Sequence, residues 1–165
     1  MDQLWAPWRL SYVATPKEKQ PASGDDCFIC RGVAGTDDRA NLVVYRSELS
    51  IVVLNRFPYN NGHLLVCPMA HKGRHEEQTP EELLDQQLTI RKMLGILGKR
   101  MSPDGFNVGL NLGRAAGAGV PGHLHWHIVP RWNGDTNFMP VLTDTRVIVQ
   151  SLDALYDLIA EELRE

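Results

Sequence analysis

Between Gly122 and Pro130 the chain reads His123-Leu124-His125-Trp126-His127-Ile128-Val129, with an imidazole at every second position and apolar residues between. Side chains alternate faces along a strand, so this order predicts a strand over Leu124–Val129, ended by Pro130. Three rings then share one face, spaced by about 7 Å at about 3.3 Å of rise per residue. Leu124, Trp126 and Ile128 share the other face and can pack beneath a helix. A row of imidazoles can meet a chain of phosphates, and imidazole can serve near neutral pH as nucleophile, acid, base or metal ligand.

The rest of the chain supplies partners for such a strand. Asn41–Arg46 and Leu49–Leu54 are β-branched runs, and His63–Cys67 is a third, stopped by Pro68. A helix starts at Thr79 as N-cap, with Pro80 at its first position and Glu82 completing a capping box. Leu83, Leu84, Leu88, Leu94 and Leu97 are its expected apolar stripe, and Lys99 and Arg100 suit its C-terminal end. Phe106–Leu112 alternates again: Val108, Leu110 and Leu112 on one face, Asn107, Gly109 and Asn111 on the other. Residues 131–146 read as irregular, and Leu152, Leu155, Ile159 and Leu163 have the period of a closing helix. Five strands in series around one long helix imply an α+β fold with a mostly antiparallel sheet. Residues 14–26 read as a linker, preceded by an aromatic arm at Leu4–Val13. The expected division is therefore 1–24 as arm and linker and 25–165 as a single domain.

Bulk properties exclude more than they assign. The formal net charge of −3 gives no reason to expect a nucleic-acid polymer as partner. No apolar run approaches the roughly 20 residues of a membrane span, and Met1–Gln20 lacks the apolar stretch of a secretory signal. Cytoplasmic residence is the expectation. Three cysteines, Cys27, Cys30 and Cys67, argue against a disulfide scaffold in a chain of this size. Cys67 alternates in an apolar strand and reads as a small buried hydrophobe. Cys27-Phe28-Ile29-Cys30 has the spacing of half a zinc site, or of a redox pair, or of two reduced thiols. The loop Gly113–Gly122 holds four glycines, Gly117 and Gly119 among them, and can act as a phosphate cradle or as a plain turn. Arg114, Arg131 and Lys72 read as solvated charges able to meet phosphate.

The run Pro121–Pro130 resembles the signature of the histidine triad (HIT) superfamily, His-φ-His-φ-His-φ-φ with φ apolar. The likeness extends through Asn60–Pro68 and Phe106–Gly113, covering roughly residues 25–132. Leu4-Trp5-Ala6-Pro7-Trp8-Arg9 and Pro130–Phe138 are more like the bacterial diadenosine tetraphosphate phosphorylase branch. The resemblance implies a five-stranded antiparallel sheet with one long and one C-terminal helix, a homodimer with a continuous sheet, and no organic cofactor.

It also implies roles. His125 is the nucleophile on an α-phosphate, His127 contacts the bridging or neighbouring oxygens, and His63 supports His125. Asn111 sits beside phosphate and Asn55 beside ribose. Cys27, Cys30, His71 and His123 hold a structural zinc, with His75 as a substitute for His71. In place of the polar pair that many relatives carry three and four residues before the triad, this chain has Gly119 and Val120. That counts against phosphoramidase-type cleavage. The expected activity is cleavage of a dinucleoside polyphosphate by phosphorolysis or hydrolysis. A nucleotide-binding module without turnover and a catalytic metal site are the competing readings.

Overall fold

The computed structural model describes residues 27–136 and 148–164. The expected arm and linker, with their boundary after residue 24, lie outside the described residues, as do Trp5, Trp8 and Phe138. The elements are α1 (Phe28–Ala34), β1 (Val43–Arg46), β2 (Ser50–Leu54), β3 (Leu64–Pro68), α2 (Pro80–Met101), β4 (Gly105–Leu110), β5 (Trp126–Arg131) and α3 (Leu152–Glu162). The five strands form one antiparallel sheet in the order β1-β2-β3-β5-β4, the α+β architecture expected. No described helix is long and apolar enough to cross a membrane.

The sheet has two working faces. Val52, Leu54, Leu64, Val66 and Ile128 pack against Ile90, Met93, Ile96 and Leu97 of α2 and Leu155 and Ile159 of α3. Val43, Ile51, Val53, Leu65 and Cys67 face the other way and are covered by Cys27 and Ile29. Register carries these faces across the sheet: Leu65 pairs with His127, and His127 with Gly109. The second face thus continues from an apolar floor under α1 to the imidazoles and on to Gly109.

The start of α2 is as read: Thr79 Oγ1 accepts from Glu82 N–H, and the Glu82 carboxylate accepts from Thr79 N–H at 2.7 Å. Its apolar stripe is borne out only in part: Leu97 is buried and Leu94 packs partly buried against the core. Leu84 and Leu88 are exposed, and the buried face runs through Glu82, Gln86, Thr89, Ile90, Met93, Ile96 and Leu97. Two of these polar residues are bonded in their core positions. Glu82 accepts from Lys72 Nζ at 2.6 Å, and Gln86 Oε1 accepts from Trp126 Nε1–H at 3.0 Å. The β5 ladder starts at Trp126, so His123, Leu124 and His125 form a lead-in to it. Leu124 N–H donates to the Lys72 carbonyl at 2.7 Å. Helix α1 was not anticipated, being seven residues long and without a legible period.

Candidate active site and metal cluster

The lead-in to β5 divides the three histidines between two tasks. His123 is fully buried, and its Nε2–H donates to the Pro68 carbonyl at 2.9 Å. Its bare Nδ1 then faces Cys27 Sγ at 3.4 Å and Cys30 Sγ at 3.5 Å. His71 brings Nδ1 to 3.1 Å from Cys30 Sγ. One donor atom from each of these four residues lies within 4.8 Å of the others. Two sulfurs and two imidazole nitrogens, one imidazole oriented by a carbonyl, suit tetrahedral zinc with a closed shell. Burial, with a hydrogen bond and charge from Cys27, pushes the Cys30 thiol up to about 11. A cation among the sulfurs offsets that cost of forming a thiolate. His75 stands apart, edge-on to Trp126 with centroids 6.5 Å apart, so His71 completes the cluster. His123 is thereby withdrawn from the row of rings expected to meet phosphate. Cys67 is buried and desolvation raises its thiol, as fits a packing residue.

His125 and His127 remain for chemistry. Their centroids are 5.1 Å apart, closer than the spacing along an ideal strand. The Nδ1–H of His125 donates to the His123 carbonyl at 2.8 Å. A neutral ring so held presents a bare Nε2. The tautomer of His127 follows from a longer chain of bonds. Tyr59 N–H donates to His63 Nδ1 at 3.0 Å, and Asn55 Nδ2 lies 3.2 Å from the same atom. A neutral His63 then carries its proton on Nε2 and donates it to His127 Nδ1 at 2.9 Å. The proton of His127 is left on Nε2. Tyr59 stacks on His127 with centroids 5.4 Å apart and planes 19° apart. The three residues read as catalytic are therefore contiguous, in the order His63, His127, His125.

Desolvation, assisted by the neighbouring His125, lowers His127 to about 4. NMR titration of the His127 ring is expected to show it neutral through pH 6; a midpoint at 6.5 or above would contradict this environment. Between about 6.5 and 4 the unfolded chain binds a proton that the folded ring refuses. This group therefore costs stability as pH falls through that window and has no effect above it.

Asn55 and Asn111 flank the imidazoles from opposite sides. Asn55 adjoins His63 and lines a cavity of about 280 Å³ with Phe28, Leu42, Val53 and Leu54. Asn111 Nδ2 lies 3.4 Å from His127 Nε2. The Gly113–Gly122 loop holds a short 3-10 turn, Arg114–Ala116, and Gly117 closes it at φ 92°, a conformation a side chain would strain. Gly117 sits beside Asn111, whereas a Cβ at Gly119 would meet open space. Val120 packs partly buried against the α1-side core. Lys72, read as a solvated charge, is instead held by Glu82. Sequence reasoning missed Tyr59, whose only signal was its place before the Asn60-Asn61-Gly62 turn.

A sheet that carries two oriented imidazoles beside a Cys₂His₂ cluster defines a class of protein built around paired histidines. Residues 37–134 match the HIT domain family. The chain belongs to that family. It is 37% identical over 164 residues to an AP-4-A phosphorylase of Mycobacterium tuberculosis, covering 98% of this chain and 84% of that one. It is 39% identical over 93 residues to a bis(5'-nucleosyl)-tetraphosphatase [asymmetrical] of Schizosaccharomyces pombe, covering 56% and 50% of the two chains. Among solved structures, a Zn-bound histidine triad family protein from Mycobacterium smegmatis aligns with TM-score 0.65 at 25% identity, over 87% of this chain and all of that one.

Proposed function

We propose that the protein is an enzyme that cleaves dinucleoside polyphosphates, diadenosine tetraphosphate among them, at an α-phosphate through a nucleotidyl-histidine. The observation that carries this reading is the His125 tautomer, fixed by the His123 carbonyl with Nε2 bare and next to His127. His125 Nε2 attacks the α-phosphorus. As the N–P bond forms, the bridging P–O bond breaks, and the leaving nucleoside polyphosphate takes its electron pair. The His127 Nε2–H stabilises charge on the bridging oxygen, oriented by His63. Water or orthophosphate then displaces His125, releasing a nucleoside mono- or diphosphate. The names of the M. tuberculosis and S. pombe relatives support this substrate class.

Asn55 and its cavity, walled by Phe28, Leu42, Val53 and Leu54 and also by Arg31, Asn41 and Arg56, take the ribose and base of the transferred nucleotide. Asn111, with the backbone of Gly117 and Gly119, meets its phosphate. Val120 offers no proton to a leaving group. An amine leaving group needs one, whereas a polyphosphate leaves as a stable anion, which favours polyphosphates over phosphoramidates. Cys27, Cys30, His71 and His123 hold zinc as a closed structural ion that ties α1 to the lead-in of β5. The outer edge of β4 has no partner strand among the described residues and is the surface through which two chains would pair into a homodimer. Thiols free of disulfides suit the cytoplasm.

Incubation with diadenosine tetraphosphate, with and without orthophosphate, tests the reading. ADP with ATP means phosphorolysis and AMP with ATP means hydrolysis; tight binding without turnover would replace the enzyme with a binding module.

A further inference from the structure

A second cavity, of about 320 Å³, opens on the β4 side of the imidazoles, lined by His127, Tyr59, Asn107, Gly109, Asn111 and Arg131 among others. We infer that it is an anion subsite, occupied in turn by the leaving polyphosphate and by orthophosphate as acceptor. This rests on the reading above, because displacement at phosphorus is in line. The leaving group departs opposite His125 Nε2, and the acceptor must enter along the same side, so one subsite serves both. The net exchange is balanced: the bridging P–O bond is replaced by the bond to His125, and that bond by a P–O bond to orthophosphate.

Four observations point to an anion here. First, His127 is 9% exposed and lines this cavity together with Asn111. The polar atom facing His127 Nε2–H is Asn111 Nδ2 at 3.4 Å, donor against donor. An oxygen between them satisfies both, whereas turning the Asn111 amide over satisfies His127 alone. Second, Arg131 is held in one orientation. Asp135 accepts from its Nε at 2.6 Å and its Nη2 at 2.9 Å, and Asn107 Oδ1 accepts from its Nη1 at 2.8 Å. Asp135 is itself anchored by Asn60 Nδ2 and the Trp132 N–H, and Arg131 keeps its carboxyl far below the usual range. A guanidinium fixed in advance binds oxyanions at low entropic cost. Asp135 offsets part of its charge, which suits an occupant that must leave and be replaced. Third, with its oxygen engaged, Asn107 offers the cavity only an NH₂.

Fourth, Gly109 keeps the space open. It pairs across the ladder with His127 on the imidazole face, and a Cβ there meets no heavy atom within 4 Å. It has no positive φ to satisfy. A strand position that would accept a side chain carries none, and any side chain would occupy the cavity.

Gly109→Leu fills the subsite without disturbing a packed core, and Asn107→Leu alters the same wall should the first variant fail to fold; thermal melting checks both. With diadenosine tetraphosphate and orthophosphate as probes, the parent is expected to release ADP. Either variant should lower kcat/KM for diadenosine tetraphosphate, whose leaving group shares the subsite, raise KM for orthophosphate at least tenfold and shift the remaining product from ADP to AMP, since water still fits. A KM and an ADP-to-AMP ratio within twofold of the parent in the folded variants would overturn the subsite, as would AMP from the parent whatever the orthophosphate concentration. Failure of the underlying reading looks different, namely a parent that turns over nothing. Calorimetric binding of inorganic tripolyphosphate then decides: a tenfold loss in Gly109→Leu supports the subsite, and absent or unchanged binding overturns it.

Discussion

Replacing His125 with alanine is expected to lower kcat/KM for diadenosine tetraphosphate by about 10⁴-fold or more, roughly 5.4 kcal/mol of transition-state stabilisation. The size follows from its place in the sequence of steps. Other groups in the site orient His125 or stabilise charge, and losing one such group costs about 10²–10³-fold. On the proposed reading, losing His125 would remove the covalent route altogether, and no neighbour is placed to replace it. His127 commits its Nδ1 to His63 and carries its proton on Nε2, so it has no lone pair to offer. His123 points its Nδ1 at the sulfurs. His125→Asn keeps more of the buried volume and should be equally inactive, which separates lost chemistry from lost packing. The measurement is steady-state product release alongside a thermal melt. Activity within tenfold of the parent in a folded variant would defeat the assignment. His127→Ala, by contrast, should retain the burst of nucleotide transfer to His125 at a reduced rate.

Much of this site is legible in five residues of sequence, for a physical reason. Alternation at period two is local information, and burial of Leu124 and Ile128 enforces it whatever else the chain does. The division of labour among the three rings is not local. It depends on Pro68, Cys27 and Cys30 reaching His123 from as far as 96 residues away. The same limit explains α2. Its caps were readable because capping is a contact between neighbours, but its buried face includes Glu82, Gln86 and Thr89, which leucine spacing cannot reveal. Gln86 is buried because Trp126 donates to it, and Glu82 because Lys72 and Thr79 do. Asn107, Gly109 and Asn111 were readable as one face of a strand. That this face adjoins His127 follows only from the β4–β5 pairing.

Removing zinc, or its ligands in a Cys27→Ser, Cys30→Ser variant, is expected to have the second large effect, on stability first and on rate through it. Elemental analysis of the parent should find about one zinc per chain, and none in the variant. An ion that binds the folded chain and not the unfolded one adds RT ln(1 + [L]/Kd), about 4 kcal/mol at a thousandfold excess over Kd. For a chain of this size each kcal/mol moves Tm by about 2–4 °C, so a drop of about 8–16 °C is expected. The cluster joins the N-terminal end of α1, the segment after β3 and the lead-in to β5. That lead-in carries the carbonyl that holds the His125 proton on Nδ1. Loosening it lets His125 exchange tautomers, so kcat should fall, and KM for the dinucleotide should rise as well, because Phe28 and Arg31 of the tethered α1 wall the cavity beside Asn55. A structural ion predicts one further distinction: protein reconstituted with cobalt should regain both Tm and product pattern, since four protein ligands would leave the ion no position for substrate or water. A protein that stays fully active and equally stable with no metal bound would refute the zinc assignment, and restored Tm without restored kcat would separate the ion from the orientation of His125.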